Sequence, residues 1–431
     1  MNKISPNTVS NPHSTLPTES RKTVLPNGLR IVTEEIPYVR SISFGLWIDV
    51  GSRDERVHNN GISHFVEHMV FKGTKHFSLQ AIARSLESDG GYLNAFTSKE
   101  HTCFYARSLD VHLPKAVDVV ADLVRHPLFE RKEIEKERLV VLEEFKNLED
   151  DPDELIHDYF DDRLFHDHPL RFPVLGKTKN VESFTREMLC EWKREHYVPG
   201  KMVIAAAGNL KHETVVALVE KHFGSGSSRH GTVRRPHQPR SHHPCKAVFD
   251  RPILQAHLCM GTLGCSVRAH QRYPLMVMNT LLGEGMSSRL FQNLRERHGL
   301  AYTVYSFVNT MSDTGNFGVY AATDAKNVDR SIELITKVFD KLRSMPVGPT
   351  ELRRTKSQLK GMMMLSLESM SSRMMRLGSG ELYYGTNIPL DEIIRKIDAV
   401  EADEVFEVSK NFLKVEDFTT VIFRPKASEL Q

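Results

Sequence analysis

From residue 62 to residue 69 the apolar positions Ile62, Phe65, Val66 and Met69 recur at helical spacing, which predicts an amphipathic helix with that set turned toward a core. The opposite face reads His64, Glu67 and His68. At about 100° per residue, His68 lies about 40° from His64 and Glu67 about 60° to the other side, so the three polar side chains project together. A second helix is predicted over 133–148, where Ile134, Val141, Phe145 and Leu148 fall within about 60° of one another. Glu137 and Glu144 lie on the margin of that stripe, two turns apart, and Glu143 points away. Runs at 30–34 and 43–48 read as strands. A helix-like run ends near Phe223, and 224–244 then becomes rich in Gly, Ser, Pro, Arg and His, the composition of a linker.

The order of elements recurs across that linker. In the first half Gly91-Tyr92-Leu93-Asn94-Ala95-Phe96-Thr97 leads to 103–107, a helix and then the Glu144 helix. In the second, Gly299-Leu300-Ala301-Tyr302-Thr303-Val304-Tyr305-Ser306 leads to 317–321 and helix-like 327–342 and 350–367. Two homologous halves of mixed sheet and helix are predicted, an α+β or α/β arrangement. Laid over the first half, the second has Met362 near the Glu144 position and Pro274, Val277 and Met278 near His64 to His68, so it lacks polar donors there. The predicted divisions are a disordered leader 1–23, a domain 24–223 carrying the histidines, a linker 224–246 and a homologous domain 247–431 without the metal-binding residues.

Two histidines four residues apart on one helix suit zinc, which needs a third protein ligand and an open position if it is to catalyse. Glu144 is the candidate third ligand, because an ionised carboxylate at a buried margin needs a partner or a metal. The plain alternatives are a solvated polar face for the histidine helix and a charged flank for the glutamates.

Composition narrows the classes. The 431 residues are 40% hydrophobic and 26% charged with a net charge of +2, enough to bury large cores and no general case for nucleic acid or an anionic membrane. Acidic residues gather from Glu149 to Asp162, where they either draw basic peptides or simply begin a helix. The five cysteines, Cys103, Cys190, Cys245, Cys259 and Cys265, form no C-x-x-C pair, which fits a reducing compartment. The first 20 residues hold no apolar signal region and no Arg, and no later run reaches membrane-spanning length. A bacterial cytoplasmic protein is expected ahead of a mitochondrial one.

The pattern His64-x-x-Glu67-His68 with Glu144 76 positions later, and Glu137 between, resembles the inverzincin metallopeptidases of the pitrilysin and mitochondrial-processing-peptidase group. The surrounding run from Gly61 to Thr74, together with Met286 to Phe291 and Gly299 to Tyr302, is similar to the short two-domain bacterial members. That resemblance implies a clamshell of two homologous domains around a peptide chamber, with one zinc per chain held by His64, His68 and Glu144. It further implies Glu67 as general base, Glu137 as an accessory glutamate, and Asn94, Ala95 and Phe96 in an edge strand that pairs with substrate backbone. Arg295 and Tyr302 match the second-domain pair expected to reach across the chamber. The implied activity is zinc-dependent endopeptidase action on short or unfolded peptides or on presequences. The alternative is a non-catalytic scaffold or partner subunit; either a homodimer or a heterodimer with an inactive paralogue is compatible.

Overall fold

The computed structural model describes residues 20–224, 239 and 243–426. Among them, six strands form the first sheet: β1 (Ser20–Val24), β2 (Arg30–Glu35), β3 (Ser41–Ile48), β4 (Tyr92–Thr97), β5 (Thr102–Leu109) and β6 (Met202–Gly208), in the order β1-β2-β6-β3-β5-β4. Five more form the second: β7 (Lys246–Arg251), β8 (Ala256–Leu263), β9 (Ala301–Thr310), β10 (Gly315–Thr323) and β11 (Thr419–Pro425), in the order β7-β11-β8-β10-β9. β2 with β6 and β7 with β11 are parallel, and the other pairs are antiparallel. Without β1 the two sheets have the same order and the same strand directions. The repeat read from the chain is thus a repeat of topology.

Two of the expected boundaries move. Of the leader 1–23, residues 1–19 lie outside the described residues, but 20–23 belong to β1 and pair with β2. Of the linker 224–246, Gly224 caps the His212–Phe223 helix and Lys246 opens β7, while most of the residues between are outside the described set.

The larger departure concerns how the halves share helices. β3, β6, β8 and β10 are buried along nearly their whole length, which requires cover on both faces of each sheet. Each half covers one face itself. On the first sheet that cover includes Phe65, Val66 and Met69 of the Ile62–Val70 helix and Val117, Val120 and Val124 of the Leu113–Arg125 helix. The other face is covered by the opposite half. The Met370–Tyr384 helix lays Met374 and Leu377 on Val32, Trp47, Val203 and Ala205 of the first sheet. In return the Pro152–Leu164 helix lays Leu155, Ile156 and Phe160 on Cys259, Tyr320, Val421 and Phe423 of the second. A cut at the linker therefore does not separate two self-contained cores.

Polar contacts pin both exchanges. Arg373 donates to Glu34 at 2.5 Å, and Lys22 pairs with the buried Glu381 at 2.7 Å. On the other side Asn316 donates to Asp161 at 2.9 Å, and His157 meets the Tyr305 hydroxyl at 3.0 Å. Between the exchanges the buried Arg53 guanidinium donates to Glu100 at 2.6 Å and to Asp313 of the second half at 2.7 Å. Glu100 in turn accepts from the Ser312 hydroxyl at 2.7 Å and from Tyr383 at 2.9 Å.

Gly378 makes the close approach of one exchanged helix feasible, since a Cβ there would lie 2.2 Å from Trp47 Nε1. We expect Gly378→Ala to cost about 1–3 kcal/mol, as overpacking of a tight contact usually does. Thermal denaturation checks this, and a melting temperature equal to that of the parent would mean that the indole can step aside.

Candidate metal centre

The Ile62–Val70 helix begins from Gly61, whose φ of 103° lies in the left-handed region that favours glycine, and its first amides have no partner within the helix. The buried Glu55 carboxylate supplies one. It accepts from Gly61 N at 2.7 Å, from Asn60 Nδ2 at 2.7 Å and from Ser63 N at 2.8 Å. Burial pushes its pKa up to about 7, while the donated hydrogen bonds pull it back toward the charged form. The helix is anchored at the start by a carboxylate and along one side by Ile62, Phe65, Val66 and Met69, all in the core.

The other side holds the predicted cluster. His64 Nε2 and His68 Nε2 lie 3.2 Å apart, with the rings edge to face. Glu144, from the Arg131–Glu149 helix, places Oε1 3.6 Å from His68 Nε2 and Oε2 3.9 Å from His64 Nε2. One ligand atom from each of the three fits within 4.8 Å of the others, the one such group among the described residues. Glu144 Oε2 is buried without a hydrogen-bond partner. Two imidazole nitrogens and one carboxylate oxygen converging in this way, with that oxygen orphaned, fit a zinc ion with a coordination position to spare. Glu143 points outward as the helical angles require and pairs with Lys146 at 2.7 Å.

A polar surround orients the cluster. Glu137 is buried and accepts from His68 Nδ1 at 2.8 Å and from Lys72 Nζ at 2.6 Å, so His68 is held with Nε2 toward the cluster. Burial works against a charge on His68, but the Glu137 hydrogen bond and the carboxylates of Glu144 and Glu67 outweigh it and raise its pKa. His64 behaves oppositely: burial, with the His68 charge added, lowers it to about 3 and leaves a neutral imidazole. Glu67 is 9% exposed, and its Oε2 accepts from the Thr97 hydroxyl at 2.5 Å. Burial raises the Glu67 pKa, opposed by that hydrogen bond.

Asn94, Ala95 and Phe96 lie on β4, which is the free edge of the first sheet. Ala95 packs with Leu93 on the core beneath the histidine helix, Phe96 meets Trp47 edge to face at 5.5 Å, and Asn94 is exposed. Arg295 and Tyr302 are in contact with each other. The guanidinium sits 4.5 Å from the Tyr302 ring centre and donates to the Tyr302 carbonyl at 3.0 Å. Tyr302 falls where the β9–β10 register slips, between Ala301 opposite Thr323 and Thr303 opposite Ala322, and its side chain is 73% exposed. Several acids between 149 and 162 are not an open basic-peptide site. Asp151 caps the Pro152–Leu164 helix, Glu149 pairs with Arg251, Asp161 with Lys99 and Asp162 with Arg171.

Three of these residues escaped sequence reasoning. Lys72 follows His68 by four positions in the turn that ends the helix, a spacing visible in the sequence. Thr97 sits in a strand whose two faces could not be told apart by alternation alone, and no local pattern points from Glu55 to a helix that starts after a glycine.

Residues 30–178 match the model of the Insulinase family (Peptidase family M16), and 183–359 match the Peptidase M16 inactive domain. The chain belongs to peptidase family M16 and, with it, to the zinc peptidases. It is 41% identical to an uncharacterised zinc protease of Bacillus subtilis over 93% of this chain and 97% of that one. It is 35% identical to a probable mitochondrial-processing peptidase subunit beta of Arabidopsis thaliana, over 94% of this chain and 78% of that one. A protease structure from Helicobacter pylori superposes with a TM-score of 0.86 at 21% identity, covering 95% of this chain and 100% of that one, which shows a shared fold.

Glu55→Gln keeps the shape of the cap but puts an amide donor where two acceptor oxygens are needed. We expect it to lower unfolding free energy by roughly 1–3 kcal/mol, the cost of a lost hydrogen bond to a charged group. Chemical denaturation reads the change, and unaltered stability would mean the helix start is seated by its apolar face alone.

Proposed function

We propose that the chain is a zinc endopeptidase that cleaves internal bonds of short or unfolded peptides, with presequences as one such class. The observation that carries the reading is the convergence of His64 Nε2, His68 Nε2 and a partnerless Glu144 oxygen next to a carboxylate, Glu67, that is not needed as a ligand. His64, His68 and Glu144 would hold the zinc, and Glu137 would orient His68. Bound there, zinc supplies a Lewis acid that polarises the scissile carbonyl and activates water. Glu67 accepts the proton of the attacking water on a carboxylate oxygen and returns it to the leaving amine nitrogen. Its burial supports that role, because a carboxylate with a raised pKa is a stronger base toward the attacking water than one in bulk solvent.

The free edge at β4 supports capture of an extended peptide by strand addition, with Asn94, Ala95 and Phe96 as the strand that it joins. Arg295 and Tyr302 of the second half would reach across the chamber and hold substrate near the metal, with the Tyr302 side chain exposed for it. A homodimer is the assembly we favour, and the likeness to a processing-peptidase beta subunit leaves the heterodimer with an inactive paralogue as its rival. The unpaired cysteines among the described residues agree with a reducing bacterial cytoplasm, and no helix among those residues is long and apolar enough to cross a membrane.

Purified protein is expected to carry about one zinc and to lose peptide cleavage on chelation. Glu67→Gln should retain the metal and lose turnover, whereas Glu144→Gln should lose the metal and Glu143→Gln should not. Equal zinc content in the last two variants, by elemental analysis, would refute the ligand assignment. Tyr302→Phe is expected to lower kcat at least about tenfold, a modest fraction of the effect of a well-placed oxyanion donor, with zinc content and melting temperature unchanged. Parent-like turnover in that variant would leave the hydroxyl without a part in the reaction.

A further inference from the structure

We propose that Thr97 is a positioning residue that sets the orientation of the Glu67 carboxylate and ties it to the strand where substrate is captured. The inference rests on the function proposed above and adds a part to it. Thr97 is the last residue of β4 and pairs with Thr102 of β5, while Ala95 and Leu93, two and four positions back on the same face, pack beneath the histidine helix. That alternation turns the Thr97 side chain toward the helix, where its hydroxyl donates to Glu67 Oε2 at 2.5 Å.

Other groups near Glu67 do not share the task. The Cys103 thiol and the Tyr197 hydroxyl are close enough for the Glu67 charge to be felt, yet both are buried, and the Tyr197 hydroxyl has no hydrogen-bond partner. Among the described residues, the Thr97 hydroxyl is the donor that Glu67 has. A glutamate has three side-chain torsions, and nothing else holds this one by a directional bond. Oε2 accepts from Thr97, and Oε1 carries no hydrogen bond from the described residues.

The second half of the inference follows from where Thr97 hangs. A peptide that joins the free edge of β4 hydrogen-bonds to its backbone and restrains it, and Thr97 is part of that strand. Capture of substrate therefore steadies the donor that steadies the base. This predicts an effect on turnover with little effect on affinity, since Thr97 contributes one side-chain hydroxyl that faces the protein and not the peptide.

The test compares Thr97→Val, which keeps the shape and removes the hydroxyl, with Thr97→Ser, which keeps the hydroxyl. Both are made in the full chain, loaded with zinc and assayed on a fluorogenic unstructured peptide. For Thr97→Val we expect kcat to fall about tenfold or more with KM within about twofold, as loss of a hydrogen bond to a charged group that acts in the transition state would produce. Zinc content should match the parent. Thr97→Ser should restore kcat to within about threefold of the parent. Crystal structures supply a readout independent of activity: Glu67 is expected in one rotamer in the parent and Thr97→Ser, and displaced or split in Thr97→Val. A Thr97→Val protein with parent kcat, or with Glu67 unmoved, overturns the inference, as does a Thr97→Ser protein as slow as Thr97→Val. If the parent itself cleaves no peptide, it is the proposed function that fails, and the rotamer of Glu67 still decides the part played by Thr97.

Discussion

The central strands of both sheets are buried on both faces, and each half takes the cover of one face from a helix of the other. Burial of a large side chain is worth about 1.5–3 kcal/mol, so a bare face carrying Val32, Trp47, Val203 and Ala205 would be a heavy loss for the first half alone. The fold answers by exchange, sending Pro152–Leu164 to the second sheet and Met370–Tyr384 to the first. Arg53, Glu100 and Asp313 meet in the seam so formed. A buried ion network of this kind gains little net stability because desolvation offsets its attraction, but it is sensitive to geometry. It therefore fits the work of fixing how the halves face one another better than that of holding them together, which the apolar contacts already do.

The same logic, at smaller scale, organises the metal centre. A nine-residue helix cannot keep two imidazoles aimed at one point unless its own position is fixed, and Glu55 at its start and the core on its apolar side fix it. What remains is charge. Three carboxylates, Glu67, Glu137 and Glu144, crowd around two imidazoles of which one is neutral, with Lys72 as the cation beside Glu137. The excess of negative charge is a reason for a divalent cation to stay, and the orphaned oxygen of Glu144 is where it is most needed.

How much of this could be read from the chain depended on range. The pentad, Glu144 in preference to Glu143 and the two buried stripes all follow from the angle per residue of one helix, and the structure places each where the angle sends it. The duplication was legible because strand and helix patterns recur in order. Contacts between distant segments were not. Nothing in the local composition of 370–384 says that Met374 and Leu377 belong on the first sheet, since any amphipathic helix presents the same stripe to any apolar face. Thr97 was within a strand already singled out, but only the register of β4 against β5 decides which neighbour its hydroxyl meets. Arg295 lies over the Tyr302 ring, a contact that their spacing of seven residues does not show.

The second half shows what a duplicated fold becomes once freed from holding a metal. Where the histidine helix would repeat, Val277 and Met278 are buried in an apolar core. Where Glu144 would repeat, Met362 is exposed, followed by the exposed Met364 and Leu365. The strand order is common to both halves, while the positions that carry polar donors in the first are apolar in the second, buried at Val277 and Met278 and exposed at Met362. The edge strand diverged in another direction. β4 keeps an unbroken pairing with β5 up to Thr97, whose hydroxyl meets Glu67, whereas β9 slips by one residue against β10 beside the exposed Tyr302. The edge that keeps its register thus lends a side chain to the interior of its own half, while the edge that slips carries an exposed aromatic ring under an arginine.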